Sequence, residues 1–136
     1  MPEIKPAANA AQAIASSALR AQQGRMRIIA ENMANAASTS RTAGGDPYRR
    51  KIAVFEPVGA DAEPTGRVVR DTSPFRSISS PGHPAADAQG ILKLPNVDPA
   101  TEMAGLRAAM GAYESNLKVI ATLDDLNRRT VDLLKI

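Results

Sequence analysis

Apolar residues recur every three or four positions near both ends of the chain, and the carboxy-terminal pattern is the longer one. It occupies the last 37 residues of the 136. Steps of three and four in alternation are the heptad period of a coiled coil, so the pattern predicts a long helix with one apolar seam. The seam consists of Met103, Leu106, Met110, Tyr113, Leu117 and Ile120, followed, after polar Asp124 and Asn127, by Val131 and Leu134.

The amino-terminal pattern has the same period and predicts an amphipathic helix from about Ala8 to Ala36. Its seam positions are Ala15, Leu19, Gln22, Met26, Ile29, Met33 and Ala36. The opposite side of this helix also carries apolar groups, among them Ile14 and Ile28. We expect the two helices to pair as an antiparallel coiled coil, with spare apolar surface on the first.

Proline separates the two helical patterns, because eight of the ten prolines lie between Pro47 and Pro99. Interior proline breaks helices and central strands, so the middle of the chain is predicted to be extended. The plausible strands are Tyr48 to Glu56 and Arg67 to Arg70, joined by the turn-rich Pro57 to Gly66, with Ile91 to Leu94 following a polar, proline-rich stretch from Ser73 to Gly90. We therefore predict a small β-hairpin that leans on the helices.

The start of the carboxy-terminal helix is marked in the sequence. Asp98 suits the N-cap, Pro99 the first helical position, and Glu102 places negative charge in the first turn. The predicted fold is mainly α, and its regions are an amino-terminal helix and loop (1–46), an extended insert (47–97) and a carboxy-terminal helix (98–136). Together they are predicted to form one elongated domain.

The amino-acid composition indicates what kind of hydrophobic core the protein can form. Hydrophobic residues make up 43% of the chain, yet there are two Phe, two Tyr and no Trp, and much of the apolar content is Ala. Such residues suit close contacts between helices rather than a bulky core. Leu123, Leu126 and Leu133 lie off the main seam. Because a two-helix hairpin buries one stripe per helix, this surplus predicts contacts with other copies or other proteins.

Charge is uneven, since residues 1–51 carry eight Lys or Arg against three acidic residues and residues 52–136 carry nine against eleven. A basic half raises the alternative of a helical nucleic-acid-binding protein, with Tyr48 stacking beside Arg49, Arg50 and Lys51. One such triplet is more typical of a charged strand edge that deters mispairing. We therefore expect no nucleic-acid partner.

The sequence offers no arrangement typical of catalysis or metal binding. The only histidine, His83, lies between two prolines in a turn, and there is no cysteine. Asp124 and Asp125 are adjacent and point about 100° apart on a helix, unlike the facing carboxylates of a glycosidase. We expect no enzymatic activity, cofactor, metal or small-molecule substrate. No run is long enough for a membrane span, and the first residues do not resemble a cleavable signal peptide.

Three stretches together resemble the flagellar basal-body rod proteins. The first runs from Ala18-Leu19-Arg20-Ala21-Gln22 to Met33-Ala34-Asn35-Ala36, the third from Pro95-Asn96-Val97-Asp98 through Glu102-Met103 to Ala112-Tyr113-Glu114-Ser115-Asn116. These terminal motifs are shared among rod, hook and hook-associated proteins. The second stretch is similar to the insert of a proximal rod component: Pro47-Tyr48-Arg49-Arg50-Lys51, Asp71-Thr72-Ser73-Pro74-Phe75-Arg76 and Pro81-Gly82-His83-Pro84. The first dozen residues match no motif, and we expect the residues before the predicted helix to be disordered.

The resemblance implies a structural subunit of the bacterial flagellum that assembles helically into the proximal rod, the drive shaft that transmits torque. It implies export by the flagellar type III apparatus without signal cleavage, and a periplasmic location in the basal body. The implied partners are copies of itself, other rod proteins, the adaptor between the rod and the membrane-embedded MS ring, and the export apparatus, with no direct membrane insertion. The predicted subunit-interface residues are Leu19, Met26, Ile29, Met33, Met103, Leu106, Met110, Tyr113, Leu117, Ile120, Leu123, Leu126, Val131 and Leu134. The predicted contacts of the insert are Tyr48, Arg49, Arg50, Phe75 and Arg76.

Overall fold

Two long helices flank two short β-hairpins in a computed structural model that describes residues 5–56 and 65–135. The mainly α prediction with a β insert is confirmed. The elements in chain order are α1 (Lys5–Ala34), β1 (Lys51–Glu56), β2 (Thr65–Arg70), β3 (Arg76–Ser79), β4 (Ile91–Leu94) and α2 (Pro99–Leu134). Most of the turn predicted within Pro57 to Gly66, and the first four residues, lie outside the described part of the chain.

The start of α2 is built as its sequence predicts. Asp98 is the N-cap residue, with extended backbone angles, and its carboxylate accepts hydrogen bonds from the backbone N–H groups of Ala100 and Thr101, each at 3.3 Å. Pro99 occupies the first helical position, where its missing N–H costs nothing. Local sequence is therefore sufficient to fix where α2 begins.

The two helices pack against each other in opposite directions. Asn32, near the end of α1, donates a hydrogen bond to Glu102, in the first turn of α2. One turn earlier in α1 and later in α2, a Cβ placed on Gly105 would lie 3.4 Å from Cδ1 of Ile29. This register places the start of α1 level with about residue 129 of α2. Val131 and Leu134 therefore lie past Lys5, the residue at which α1 begins. Knobs-into-holes packing along the whole pair stays a prediction.

A second face of α1 is covered by the hairpin β1–β2, whose strands pair antiparallel from Lys51 opposite Arg70 to Glu56 opposite Thr65. The Phe55 side chain crosses α1 at Gly24, where an added Cβ would lie 3.6 Å from the ring. The Arg25 guanidinium lies 5.5 Å from the centre of the same ring. Because α1 is covered on two sides, it carries apolar groups on more than one face.

The insert contains a second hairpin that the sequence did not predict. Strand β3 pairs antiparallel with β4, with Arg76 opposite Leu94 and Ser79 opposite Ile91. All four residues of β3 are exposed and Ile78 is its only apolar one, so the strand carries no alternating pattern. Gly90, with φ of 75°, turns the chain into β4. The β3 part of this polar stretch is thus folded through backbone pairing, whereas Ala85 and Ala86, further along the stretch, are buried.

The buried apolar core is thin, as the composition predicts. In the described residues its members are mostly small or β-branched: Ala15, Ile28, Ile29, Ala85, Ala86, Leu92, Val97 and Ala109. Neither helix is long and apolar enough, over the residues the structure covers, to cross a membrane.

Candidate functional site

A buried asparagine holds the insert to both helices. Asn32 is 1% exposed and makes four hydrogen bonds. Its Nδ2 donates to the Lys51 carbonyl at 2.8 Å and to Glu102 Oε2 at 3.3 Å. Its Oδ1 accepts from the Tyr48 hydroxyl at 2.8 Å and from the Lys51 backbone N–H at 2.9 Å. One side chain on α1 therefore fixes the first residue of β1 against the first turn of α2.

A buried carboxylate completes this junction. Glu102 is 1% exposed, and its Oε1 accepts a hydrogen bond from Nε of Arg50. Arg50 Nη1 also donates to Asp71 Oδ2 at 3.1 Å. Burial of Arg50 opposes its charge, but hydrogen bonds to Glu102 and then to Asp71 outweigh burial, so the pKa of Arg50 is raised. Hydrogen bonds from Ser73, followed by Arg50, lower the pKa of Asp71. The single guanidinium of Arg50 is therefore shared by two carboxylates, Glu102 and Asp71.

Asn96 ties the chain segment that leads into α2 to the same junction. Its Oδ1 accepts from the Arg50 backbone N–H at 2.7 Å, and its Nδ2 donates to the carbonyls of Asp71 and Ser73, each at 3.1 Å. Arg49 donates to the same two carbonyls at 2.8 and 3.0 Å. The loop after β2 is therefore held from two sides. We define the polar junction as Asn32, Tyr48, Arg50, Asp71, Asn96 and Glu102.

The five residues predicted as contacts of the insert all engage other parts of their own chain. Tyr48 and Arg50 belong to the polar junction, and the Arg49 guanidinium stacks 4.1 Å from the centre of the Phe75 ring. Arg76 donates to the carbonyls of Pro95 and Ala36 at 3.1 and 3.2 Å. These guanidinium groups are occupied within the subunit, which does not favour a phosphate-binding role. Contacts from these residues to other subunits stay a prediction.

Because of Tyr48, the stability of the fold is expected to decrease at alkaline pH. Burial, followed by the charges of Glu31 and Glu102, raises the pKa of Tyr48 to about 12 from the ordinary value of 10.0. A phenol whose pKa is higher in the folded state stabilises the fold below pH 10 and loses that contribution as the pH rises through 12. The free energy of unfolding of the wild type, measured in urea, should therefore fall between these pH values.

Tyr48→Phe is expected to reduce that fall, because the titrating hydroxyl is gone. Tyr113→Phe is the matched control, since it removes a hydroxyl from α2 away from the junction and should retain the wild-type pH dependence. Equal slopes for the two variants between pH 10 and 12 would contradict the role of Tyr48.

The structure divides the predicted interface residues of the two seams into three classes. Ile29 is buried against α2. Seven are half-buried: Leu19, Met26, Met33, Leu106, Tyr113, Ile120 and Leu123. Six are exposed: Met103, Met110, Leu117, Leu126, Val131 and Leu134. Large apolar side chains that stay exposed along one helix indicate a surface that binds another molecule.

The face of α2 that meets α1 is rotated from the seam that the sequence predicted. Its centre is formed by Glu102, Gly105 and Ala109, of which Glu102 and Ala109 are buried. Met103 and Met110, one residue further along at each point, are 39% and 48% exposed. Small residues allow the two backbones to approach, so α1 takes this narrow face and leaves the large side chains at its flanks.

Sequence reasoning missed Asn32 and Asn96 as structural residues and gave Glu102 only a role at the helix dipole. A signal was present for Asn32, because it follows Ile29 by one helical turn and so interrupts an apolar face with an amide. A polar side chain on such a face is hydrogen-bonded when it is buried. Its partners could not be found without the fold, since they come from the insert and from α2.

No group of three or more possible metal ligands occurs among the residues of 5–56 and 65–135. His83 accepts a hydrogen bond at Nδ1 from the Ala85 N–H at 3.0 Å, which is a turn contact. The two features of residues 5–56 and 65–135 that could serve a function are the polar junction and the exposed apolar flanks of α2.

Comparison with known proteins shows which proteins the chain is similar to. Residues 88–133 match the family model described as flagellar basal body rod FlgEFG protein C-terminal. The chain is 44% identical over 135 residues to the flagellar basal-body rod protein FlgC of Agrobacterium fabrum, covering 93% of this chain and 95% of that protein. It is 38% identical to FlgC of Salmonella typhimurium (88% and 92% covered) and 32% identical to FlgC of Borreliella burgdorferi (90% and 94% covered).

Proposed function

Since the chain belongs to the family of flagellar basal-body rod proteins, in which its relatives carry the name FlgC, we propose that it assembles helically into the proximal rod and transmits torque there. The chain is a structural protein of the basal-body rod. The observation that carries the proposal is the relationship over nearly the whole chain, 93% of it against the Agrobacterium fabrum protein. Helices and insert are both included in that relationship.

The surface of α2 supports assembly. Six predicted interface residues on this helix are exposed in the single subunit, four of them on the part beyond residue 115. Burial of such side chains between subunits stabilises an assembly by roughly 1.5 to 3 kcal/mol for each large side chain that leaves water completely. Torque in the proposed rod passes through many such helix contacts, because each contact alone is small.

The polar junction supports a mechanical role for the subunit. An insert joined to two helices by hydrogen bonds from Asn32, Glu102 and Asn96 moves with them as one body. A load applied to the insert is then passed to α1 and α2 without a flexible joint at the junction. The subunit has no enzymatic activity in this proposal and needs no cofactor.

The proposed partners are copies of the chain, other rod proteins, the adaptor between the rod and the MS ring, and the flagellar export apparatus. In this proposal the chain reaches the periplasm through the type III export channel without signal cleavage. The absence of cysteine favours that route, since no disulfide can form before or during passage.

Deletion of the gene tests the proposed function. Cells that lack it are expected to stop swimming and to contain basal bodies without a complete rod, and the wild-type gene supplied on a plasmid should restore both. Imaging of purified basal bodies at side-chain resolution should then find this chain in the rod. A deletion strain that swims normally, or a rod without this chain, would contradict the proposal.

A further inference from the structure

Two rows of exposed apolar side chains run along opposite sides of α2. Each row contains three residues spaced by seven, and every member is between 39% and 71% exposed. The first strip consists of Met103, Met110 and Leu117, and the second strip of Val119, Leu126 and Leu133. Neither strip contacts α1 at its centre, because the α1-facing side of the helix passes through Ala109, between the two.

The strips have the same length and differ by a fixed step along the helix. In each strip the first and last residues are 14 positions apart, which is about 21 Å on an ideal helix. The second begins 16 residues after the first, since Val119 follows Met103 by that number. Sixteen residues correspond to about 24 Å along the axis and about 160° around it. One helix thus presents an apolar strip on one side of its first half and an equal strip on nearly the opposite side of its second half.

We propose that the second strip of one subunit packs against the first strip of a neighbouring copy, with the two α2 helices parallel and shifted by 16 residues. This inference rests on the proposed function and specifies its subunit contact. Leu126 of one copy then faces Met110 of the other, and Val119 and Leu133 face Met103 and Leu117 in the layers on either side. The contact joins two different surfaces, so each copy keeps one strip free for a further copy and the assembly stays open.

Exposed charges favour a second copy in this register as the occupant. A shift of 16 residues brings two charged side chains of one copy within about two residues of the level of an opposite charge near the first strip of the other copy. The pairs are Asp125 with Arg107 and Arg129 with Glu114, and all four side chains are exposed. Alternating signs that match in this way specify register in parallel coiled coils.

The antiparallel alternative brings like charges together. If the same strips met with helices in opposite directions and Leu126 still faced Met110, Arg129 of one copy would lie level with Arg107 of the other. Like charges facing across a helix pair disfavour that pairing. Complementary charge therefore selects the parallel arrangement.

The proposed contact also places the α1 helices of neighbouring copies on the same side of the assembly. Because the strips are about 160° apart, two copies joined through them have nearly the same orientation about the helix axis. The α1 helices of both copies then lie on one side of the layer, and the charged residues of both α2 helices lie on the other. The same contact can be repeated from copy to copy without a clash between one α1 and the next α2.

Cysteine cross-linking tests the register, and the natural chain is suited to it because it contains no cysteine. The purified full-length chain with both Met110→Cys and Leu126→Cys is concentrated, oxidised and separated on a non-reducing gel. We expect a ladder of covalent dimers and higher oligomers that disappears on reduction. Chains with Met110→Cys alone or Leu126→Cys alone should give less than one-tenth of that cross-linked product, because each cysteine then faces a native side chain.

A second pair of cysteines separates the two directions of packing. The variant with Met103→Cys and Leu133→Cys should form no ladder in the parallel register, whereas an antiparallel contact would join these positions. A ladder in this variant, equal dimers from either single-cysteine chain, or no ladder from the Met110 and Leu126 pair would each overturn the inference. Circular dichroism of every variant checks that the helices are retained.

The result of the cross-linking experiment can be distinguished from the result that tests the proposed function. Swimming of the deletion strain with and without the wild-type gene tests the rod assignment independently of any cysteine. If the wild-type gene is required for swimming and the Met110 and Leu126 pair gives no ladder, the rod assignment stands and the strip contact is wrong. A deletion strain that still swims removes the rod assignment.

Discussion

Leu117→Asp combined with Ile120→Asp is expected to abolish rod assembly and swimming. Leu117 is 43% exposed in the first strip, and Ile120 is half-buried at the edge of the α1 contact. Assembly would have to remove both introduced carboxylates from water, which costs several kcal/mol for each unpaired charge. Swimming in soft agar and the number of complete basal bodies in membrane preparations measure the effect.

Leu117→Asp alone separates assembly from folding. Because this side chain is exposed in the single subunit, the variant should retain the helical content and urea midpoint of the wild type while still failing to assemble. Gly111→Asp is the matched control, since it places the same charge on an exposed site of α2 about 120° around the helix from Leu117, outside both strips, where an added Cβ has no neighbour within 4 Å. Normal swimming of the double variant, or equal defects from Leu117→Asp and Gly111→Asp, would refute the role of the strip.

Glu102→Ala is expected to lower the free energy of unfolding by about 3 kcal/mol. The substitution removes the acceptor for Arg50 Nε and for Asn32 Nδ2. Asn32 stays buried and must leave one donor without a partner, while Arg50 retains only its pairing with Asp71. Since the Arg50 side chain is 25% exposed, water can reach part of its charge, which places the cost near the lower end for a broken buried ion pair. Urea unfolding followed by circular dichroism measures it.

Two variants complete that experiment. Glu114→Ala is the matched control, because Glu114 is exposed on the same helix and its loss should change the free energy of unfolding by less than about 0.5 kcal/mol. Glu102→Gln keeps the size and an acceptor oxygen but removes the charge, so its effect should lie between the two. Equal effects of the two alanine substitutions would show that the polar junction does not stabilise the subunit.

The polar junction and the two strips have separate tasks in the molecule. The polar junction is charged and has Asn32 and Glu102 buried at its centre, and it fixes the insert to the helices within one subunit. The strips are apolar and exposed, and they offer contacts between subunits. Substitutions in the first should therefore act on the stability of the isolated chain, and those in the second on assembly alone. The variants at Glu102 and Leu117 test this division directly.

Local patterns predicted much of the fold correctly. The two helices, the N-cap at Asp98 and the hairpin β1–β2 follow from periodicity, capping chemistry and the distribution of proline, all of which act over a few neighbouring residues. The hairpin β3–β4 was missed because β3 is exposed throughout and Ile78 is its only apolar residue. Its stability comes from pairing with β4, a partner that no local pattern identifies.

The exposed surface of α2 could be predicted only in part. The sequence by itself determined that this helix is long, begins just after the N-cap residue Asp98 and carries more apolar residues than one partner can cover. Only the tertiary structure decided which of them are covered: α1 packs on the narrow face at Gly105 and Ala109, because small residues let the backbones approach, and Met103, Met110 and Leu117 are left at its side. Asn32 and Glu102 were likewise visible in the sequence as polar residues, but burial and hydrogen bonding between them required three distant segments to meet.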